Sequence, residues 1–160
     1  MSDYLYIGKV VNTHGVKGEI KILSDFEFKD RLFKINNSIY INDKNYKIVA
    51  YRVHKNYDMV MLEHINNLED ASKLKGNLVY AKREVILKNE EYVIEDLISF
   101  KVIYFNNIVG EVKHIDLGVK YNYLVLSNNK YIPYINEFIK KVDIKDKTIY
   151  INDIEGLLWR

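Results

Sequence analysis

Apolar residues recur at every second position in short runs along this chain. Ile20-Lys21-Ile22 follows a glycine-rich turn, and Ile39-Tyr40-Ile41 precedes the polar cluster Asn42 to Asn45. Tyr46 to Val53 and Asp58 to Leu62 read as two further strands, with His54 to Tyr57 between them. Strands this short, separated by turn residues, predict a small barrel or sandwich. One helical signal stands out over Leu68 to Lys75. Asn67 suits its N-cap, Glu69 and Asp70 its first turn and Gly76 its C′ position, while Leu68, Ala71 and Leu74 share a face. A helix of about two turns must be held by packing, since isolated helices under ~12 residues are marginal.

After Val79 the apolar pattern pauses. Lys88-Asn89-Glu90-Glu91 has no apolar residue and marks a linker. Strand patterns resume at Phe100 to Phe105, Val109 to Ile115, Tyr123 to Leu126, Lys130 to Ile132 and Thr148 to Ile151. Asn106-Asn107 and Asn128-Asn129 read as hairpin turns, because asparagine tolerates positive φ. Pro133 to Lys140 reads as a short helix with Ile135, Phe138 and Ile139 on one face. The expected division is a first domain over residues 1–84, a linker over 85–91 and a second domain over 92–160. The fold class is mainly β: two small β-barrel domains with a few short helices.

Composition narrows the function. Ile, Asn, Lys and Tyr number 21, 17, 20 and 14, and Lys outnumbers Arg by 20 to 4, the mix an AT-rich genome would favour. Single tyrosines and lysines therefore carry little meaning by themselves. There is no cysteine, which excludes disulfides, thiolate catalysis and Cys-ligated zinc. The start, Met1 to Ile7, lacks the features of a signal peptide, and no run approaches the ~20 apolar residues that span a bilayer. A soluble, cytoplasmic protein is expected. Net charge is only +2, which argues against an indiscriminate phosphate binder. The two halves differ: residues 1–84 hold 14 Lys/Arg against 11 Asp/Glu, a net of +3, and residues 85–160 hold 10 against 11, a net of −1.

Chemistry concentrates in Gly8-Lys9-Val10-Val11-Asn12-Thr13-His14-Gly15-Val16-Lys17-Gly18-Glu19-Ile20-Lys21-Ile22, which holds three of the seven glycines. Gly15 and Gly18 bracket a turn, and Lys9, His14, Lys17 and Lys21 put donors near it. Such a loop can approach a phosphate backbone closely. The same residues also suit a plain hairpin, with glycines for geometry and lysines for solubility. No P-loop or dinucleotide fingerprint is present. The four histidines, His14, His54, His64 and His114, lack the spacing of a local metal site and read as surface or cap residues. Carboxylates paired in sequence, such as Glu69-Asp70, Glu90-Glu91 and Glu95-Asp96, do not by themselves make an acid–base pair. No nucleophile elbow occurs. Neither an enzyme nor a metal or cofactor site is indicated. In the second half Tyr92, Tyr121, Tyr123, Tyr131, Tyr134 and Phe138 flank expected turns; exposed aromatics anchor protein interfaces or stack on bases, and buried ones are simply core. Trp159 is either a late core residue or a tail contact.

The stretch from Gly8 to Ile22 resembles the N-terminal signature of the ribosome maturation factor RimM family, in which a glycine and a lysine precede His-Gly-apolar-basic-Gly-Glu-apolar. Asn67 to Arg83, with Leu68, Glu69, Ala71, Leu74, Gly76, Val79 and Arg83, is similar to the helix and strand that end that family's first domain. Asp96-Leu97-Ile98, Gly110-Glu111-Val112, Leu124-Val125-Leu126, Ile132-Pro133-Tyr134-Ile135 with Phe138 and Asp143, and Glu155-Gly156-Leu157-Leu158 resemble its PRC-barrel domain. The resemblance implies a six-stranded translation-factor-like barrel followed by a PRC barrel. It implies a non-enzymatic assembly factor that binds the small (30S) ribosomal subunit precursor and assists 16S rRNA processing of the head region. RNA would meet Lys9, His14, Gly15, Lys17, Gly18 and Lys21. A small-subunit head protein, number nineteen, would meet the second domain, and two separate binding tasks need only a monomer. The chain departs from the family in three places. Only Tyr92 keeps an adjacent aromatic pair, Asn122-Tyr123 stands where Asn-Asp is usual, and Ser99 stands where glycine commonly follows Asp-Leu-apolar. The alternative reading is a stand-alone RNA-binding or translation-factor-like barrel.

Overall fold

The structure is a computed structural model that describes residues 2–152. Glu155 to Leu158 and Trp159 lie outside the described residues. The chain separates into two compact units, Met1–Lys88 and Asn89–Arg160. The first expected domain ends at 84, but residues 83–86 form a short helix in the first unit, with Ile86 buried. Residues 85 and 86 therefore belong to that unit's packing.

The first unit is a closed barrel. Its strands are β1 (Tyr4–His14), β2 (Glu19–Leu23), β3 (Ser38–Ile41), β4 (Lys44–His54), β5 (Tyr57–Leu62) and β6 (Leu78–Lys82), ordered β1-β2-β5-β4-β3-β6. The alternating pattern puts Leu5, Ile7, Val10, Ile20, Ile22, Ile39, Ile41, Ile48, Val60, Leu62 and Val79 inside, each almost fully buried. Burial of each such side chain is worth roughly 1.5–3 kcal/mol, and this set is the main stabilising term of the unit. Closure needs bent strands. β1 pairs with β6 through its first half and with β2 through its second, and its register shifts between Tyr6 and Gly8 and again between Val10 and Asn12. Gly8 stands between the two ladders, where a Cβ would overlap the Leu23 carbonyl. Three short helices complete the unit: α1 (Lys29–Leu32), α2 (Leu68–Ser72) and α3 (Arg83–Ile86). Asn67 caps α2 as expected, its side chain accepting from the Asp70 N–H at 2.8 Å, and Gly76 follows with φ 86°.

One charge is buried in this barrel. Asp58 is 2% exposed at the start of β5. Tyr51 donates its hydroxyl to Asp58 Oδ1 at 2.6 Å, and Lys29 Nζ lies 2.8 Å from Oδ2. Tyr51 stacks on Phe33 with ring centroids 5.1 Å apart. Burial and the hydrogen bond to Asp58 hold the Tyr51 hydroxyl well above the ordinary phenol range. The pair ties α1 to the barrel wall.

The second unit is a six-stranded half-barrel. Its strands are β7 (Lys101–Tyr104), β8 (Asn107–Leu117), β9 (Asn122–Leu126), β10 (Tyr131–Pro133), β11 (Ile139–Asp143) and β12 (Thr148–Ile151), ordered β10-β9-β8-β7-β12-β11. All pairings are antiparallel except β7 with β12. Its core gathers Leu97, Phe100, Val102, Val112, Leu124, Leu126, Ile132, Ile149 and Ile151. Phe105 and Asn106 both have positive φ in the β7–β8 turn, and Asn129 does so between β9 and β10. The helix expected over Pro133 to Lys140 does not form. One turn closes when the N–H groups of Phe138 and Ile139 donate to the Ile135 carbonyl, and the chain then enters β11. The apolar spacing of Ile135, Phe138 and Ile139 reflects that single turn. Pairing with β12 supplies the backbone partners that a longer helix would otherwise have to make itself.

Candidate nucleic-acid interface

The β1–β2 hairpin carries the glycine–lysine loop. Its tip, residues 15–18, is a turn in which Gly15 and Gly18 have φ 73° and 89°. Gly15 faces open space, so only its backbone conformation asks for glycine. Gly18 has a second constraint, since a Cβ there would stand 2.9 Å from the Asn67 carbonyl oxygen and 3.0 Å from that of Ile65. The loop is thereby seated against the segment leading into α2. Val16 and Lys17 are exposed at the tip.

The ladder register decides which basic side chains meet. Ile20 and Ile22 point inward, so Glu19, Lys21 and Leu23 point outward. His14 stands opposite Glu19, Asn12 opposite Lys21, and Lys9 opposite Leu23. Lys9, His14 and Lys21 therefore share one outer face, and Lys17 stands at its end. The next strands extend it. Arg52 on β4 forms a two-pronged bond to Glu19, Nε to Oε2 at 2.9 Å and an Nη to Oε1 at 2.7 Å. His54 brings its ring within 6.4 Å of His14, and Lys21 Nζ lies 4.7 Å over the Tyr57 ring. Met59, opposite both Lys21 and Arg52, is fully buried on this outer side. The long polar side chains lie over an apolar floor.

Electrostatically the face is cationic with one internal counter-charge. The hydrogen bonds from Arg52 hold the Glu19 carboxyl below the ordinary range, with smaller help from the charge of Arg52, His14 and His54 against the opposing effect of burial. Glu19 is tied to Arg52, while Lys9 and Lys17 stand exposed and Lys21 lies over the Tyr57 ring. Among the described residues no group of three or more His, Cys, Asp or Glu could hold a metal ion, and no helix is long and apolar enough to cross a membrane. Arg52 and Tyr57 did not stand out in the sequence, and His54 read only as a surface or cap residue. Arg52 and His54 alternate along one strand, which places them on one face. That β5 and β4 follow β2 around the barrel is a fact of topology.

The second unit's aromatics fall into two groups. Tyr92, Tyr134 and Phe138 are half-buried against the core, and the Tyr134 hydroxyl donates to the Tyr92 oxygen at 2.8 Å. Tyr123 and Tyr131 lie on the opposite face of β9 and β10 from Leu124 and Ile132, with ring centroids 6.0 Å apart. Tyr131 is exposed, and Tyr121 carries Lys120 over its ring. Ser99 has φ 75°, a left-handed backbone that explains why glycine suits this position.

A closed barrel bearing a glycine–lysine hairpin, followed by a half-barrel, defines a two-domain β protein, and both parts match known families. Residues 5–86 match the RimM N-terminal domain, and residues 94–157 match the RimM PRC barrel domain. The chain is 36% identical over 162 aligned positions to the ribosome maturation factor RimM of Staphylococcus haemolyticus, covering 95% of this chain and 97% of that protein. The match to the protein of the same name from Staphylococcus aureus strain RF122 has the same identity and coverage. A solution structure of the N-terminal domain of RimM from Thermus thermophilus is 18% identical and covers 56% of this chain and all of that one, with a TM-score of 0.48. This chain belongs to the ribosome maturation factor RimM family.

Proposed function

We propose that this protein binds the precursor of the small ribosomal subunit and assists maturation of its head region, including 16S rRNA processing, without making or breaking a covalent bond. The observation that carries the reading is the shared outer face of Lys9, His14 and Lys21, with Lys17 at its end and Glu19 held by Arg52. Lysines on a sheet face suit phosphates, and the glycine turn lets backbone approach them. The relatives' name, ribosome maturation factor, supports the same reading. In this proposal Lys9, His14, Gly15, Lys17, Gly18 and Lys21 contact rRNA, the glycines by shaping the turn. The second unit contacts a head ribosomal protein, number nineteen of the small subunit, through the aromatic set Tyr92, Tyr121, Tyr123, Tyr131, Tyr134 and Phe138. Tyr131 presents the most open ring of that set, while Tyr92, Tyr134 and Phe138 offer only their outer edges. Two moderate contacts on one particle reinforce each other, because the second becomes intramolecular.

The test is co-sedimentation of the 160-residue protein with precursor small subunits across a salt series. Lys9→Glu, Lys17→Glu and Lys21→Glu together are expected to abolish most binding at moderate salt and to flatten its salt dependence. Unchanged co-sedimentation at low salt removes the hairpin face from the proposal.

A further inference from the structure

The outer face on the other side of β1 is aromatic. Tyr6, Tyr80 and Tyr40 stand side by side across β1, β6 and β3, and Tyr4 is opposite Lys82 two pairs along, on the same face. The rings meet edge to face: Tyr4 and Tyr40 at 5.2 Å, Tyr6 and Tyr80 at 5.9 Å. Tyr4 and Tyr6 are 43% and 50% exposed. Between Tyr4, Tyr40 and Tyr80 and the Asn42 and Asn77 side runs a groove of about 580 Å³.

Its charge is equally specific. β1, β3 and β6 contain no aspartate or glutamate. Lys82 lies 5.9 Å over the Tyr40 ring, and Lys47 is opposite Ser38 at the far edge. Carboxylates stand around this face: Asp43 in the groove lining, Asp25 beside Tyr6, and Asp3 and Glu84 near Tyr4. Lys9 pairs with Leu23 on one side and Leu78 on the other. It therefore belongs both to the hairpin face and to this one, which makes the two a continuous surface.

We infer that this tyrosine face stacks unpaired bases of RNA while Lys9 and its neighbours hold the adjoining phosphates. The inference rests on the RNA reading of the hairpin and extends it to a second contact of different chemistry. Aromatic rings on an open sheet face take bases of any sequence, because every base has a π-face. Duplex RNA hides those faces and offers only backbone and groove edges. A protein partner fits less well. Among the described residues Leu78 is the only aliphatic side chain lining the groove, and apart from the Asp43 carboxylate its polar lining is tyrosine hydroxyls and asparagine amides, which suit polar base edges.

Fluorescence anisotropy of the intact chain with a 12-nucleotide unpaired RNA of mixed sequence, and with a duplex of the same length, decides the matter. Tyr4→Ala and Tyr6→Ala are each expected to weaken the unpaired RNA about tenfold and to leave the duplex within about twofold. Tyr4→Phe and Tyr6→Phe keep the ring and lose only a hydroxyl at the rim, and are expected to stay within about threefold of the parent. Tyr4→Leu and Tyr6→Leu keep apolar bulk without a π-face, and carry the test if the alanine variants melt early. Parent affinity for unpaired RNA in the leucine variants overturns the stacking inference, while loss of partner-protein capture with RNA binding intact assigns the face to protein and overturns it too. A parent protein that binds neither RNA nor precursor subunits overturns the RNA reading beneath it.

Discussion

In the first unit Tyr4 and Tyr6 stand on the outside of a sheet that closes on itself; in the second, Tyr92 and Tyr134 turn toward the core and join their hydroxyls. The difference follows from closure. A closed barrel draws most of its interior from its strands, here mainly isoleucine, leucine and valine with Leu32, Phe33 and Ile86 added from outside the strands, and leaves its outer positions available for lysine and tyrosine. The half-barrel has open edges, so its core needs cover from side chains of connecting segments. Tyr92, Tyr134 and Phe138 provide that cover. Similar residue types thus serve different ends, and a tyrosine-rich composition alone does not distinguish them. The lesson extends to charge. In the first unit a buried carboxylate, Asp58, is matched by Lys29 and Tyr51. The core of the second unit is an apolar cluster.

The largest expected effect comes from removing that buried carboxylate. Asp58→Ala leaves Lys29 and the Tyr51 hydroxyl without their partner and should cost the first unit about 3 kcal/mol, read as an early urea transition of a probe in that unit. If the loss falls below about 1 kcal/mol, the barrel does not depend on Asp58 as described. Gly18→Ala comes next. It forces an alanine to φ 89° against the Asn67 and Ile65 carbonyls and should cost about 2 kcal/mol, whereas Gly15→Ala, with open space around it, should cost about 1. Equal losses at the two glycines would mean that the seat against α2 contributes nothing.

Smaller effects probe the second unit. Tyr92→Phe removes one hydroxyl from the Tyr134 bond and should lower that unit's stability by about 1 kcal/mol while leaving any capture of the proposed head ribosomal protein near parental strength. A large loss of capture with stability unchanged would place the Tyr92 hydroxyl in the interface and weaken the contrast between the units. Ser99→Gly should act in the opposite direction, raising stability by a few tenths to about 1 kcal/mol, because glycine occupies φ 75° without the strain a Cβ brings. A melting temperature that falls in this variant would show that the serine side chain contributes more than the backbone strain costs.

Much of the fold was legible in the residues because strand propensity and period-two alternation are local. Ile20-Lys21-Ile22 and Ile39-Tyr40-Ile41 lie in strands as expected, Asn67 caps its helix, and Asn106 and Asn129 take positive φ in turns. The exception, Pro133 to Lys140, shows the limit of the same method. An apolar spacing of three and four residues over one turn cannot tell a helix from a turn that leads into a strand, and β12, which arrives later in sequence, decided in favour of β11. The candidate site divides in the same way. Lys9, His14, Lys17 and Lys21 stand within one hairpin and could be found there. Arg52, His54 and Tyr57 join them only because the barrel sets β5 and β4 beyond β2.

The sequence by itself determined the strand content, the two-part organisation, the glycine turn and the family, since each is carried by neighbouring residues or by motif spacing. Tertiary structure alone decided that Asp58 is buried and met by Lys29, that Glu19 is held by Arg52, and that Tyr6, Tyr80 and Tyr40 stand in one row. Those pairings join residues tens of positions apart. Local propensity cannot encode them; they follow from which strands share a ladder, in what register, once burying the isoleucine faces has closed the barrel.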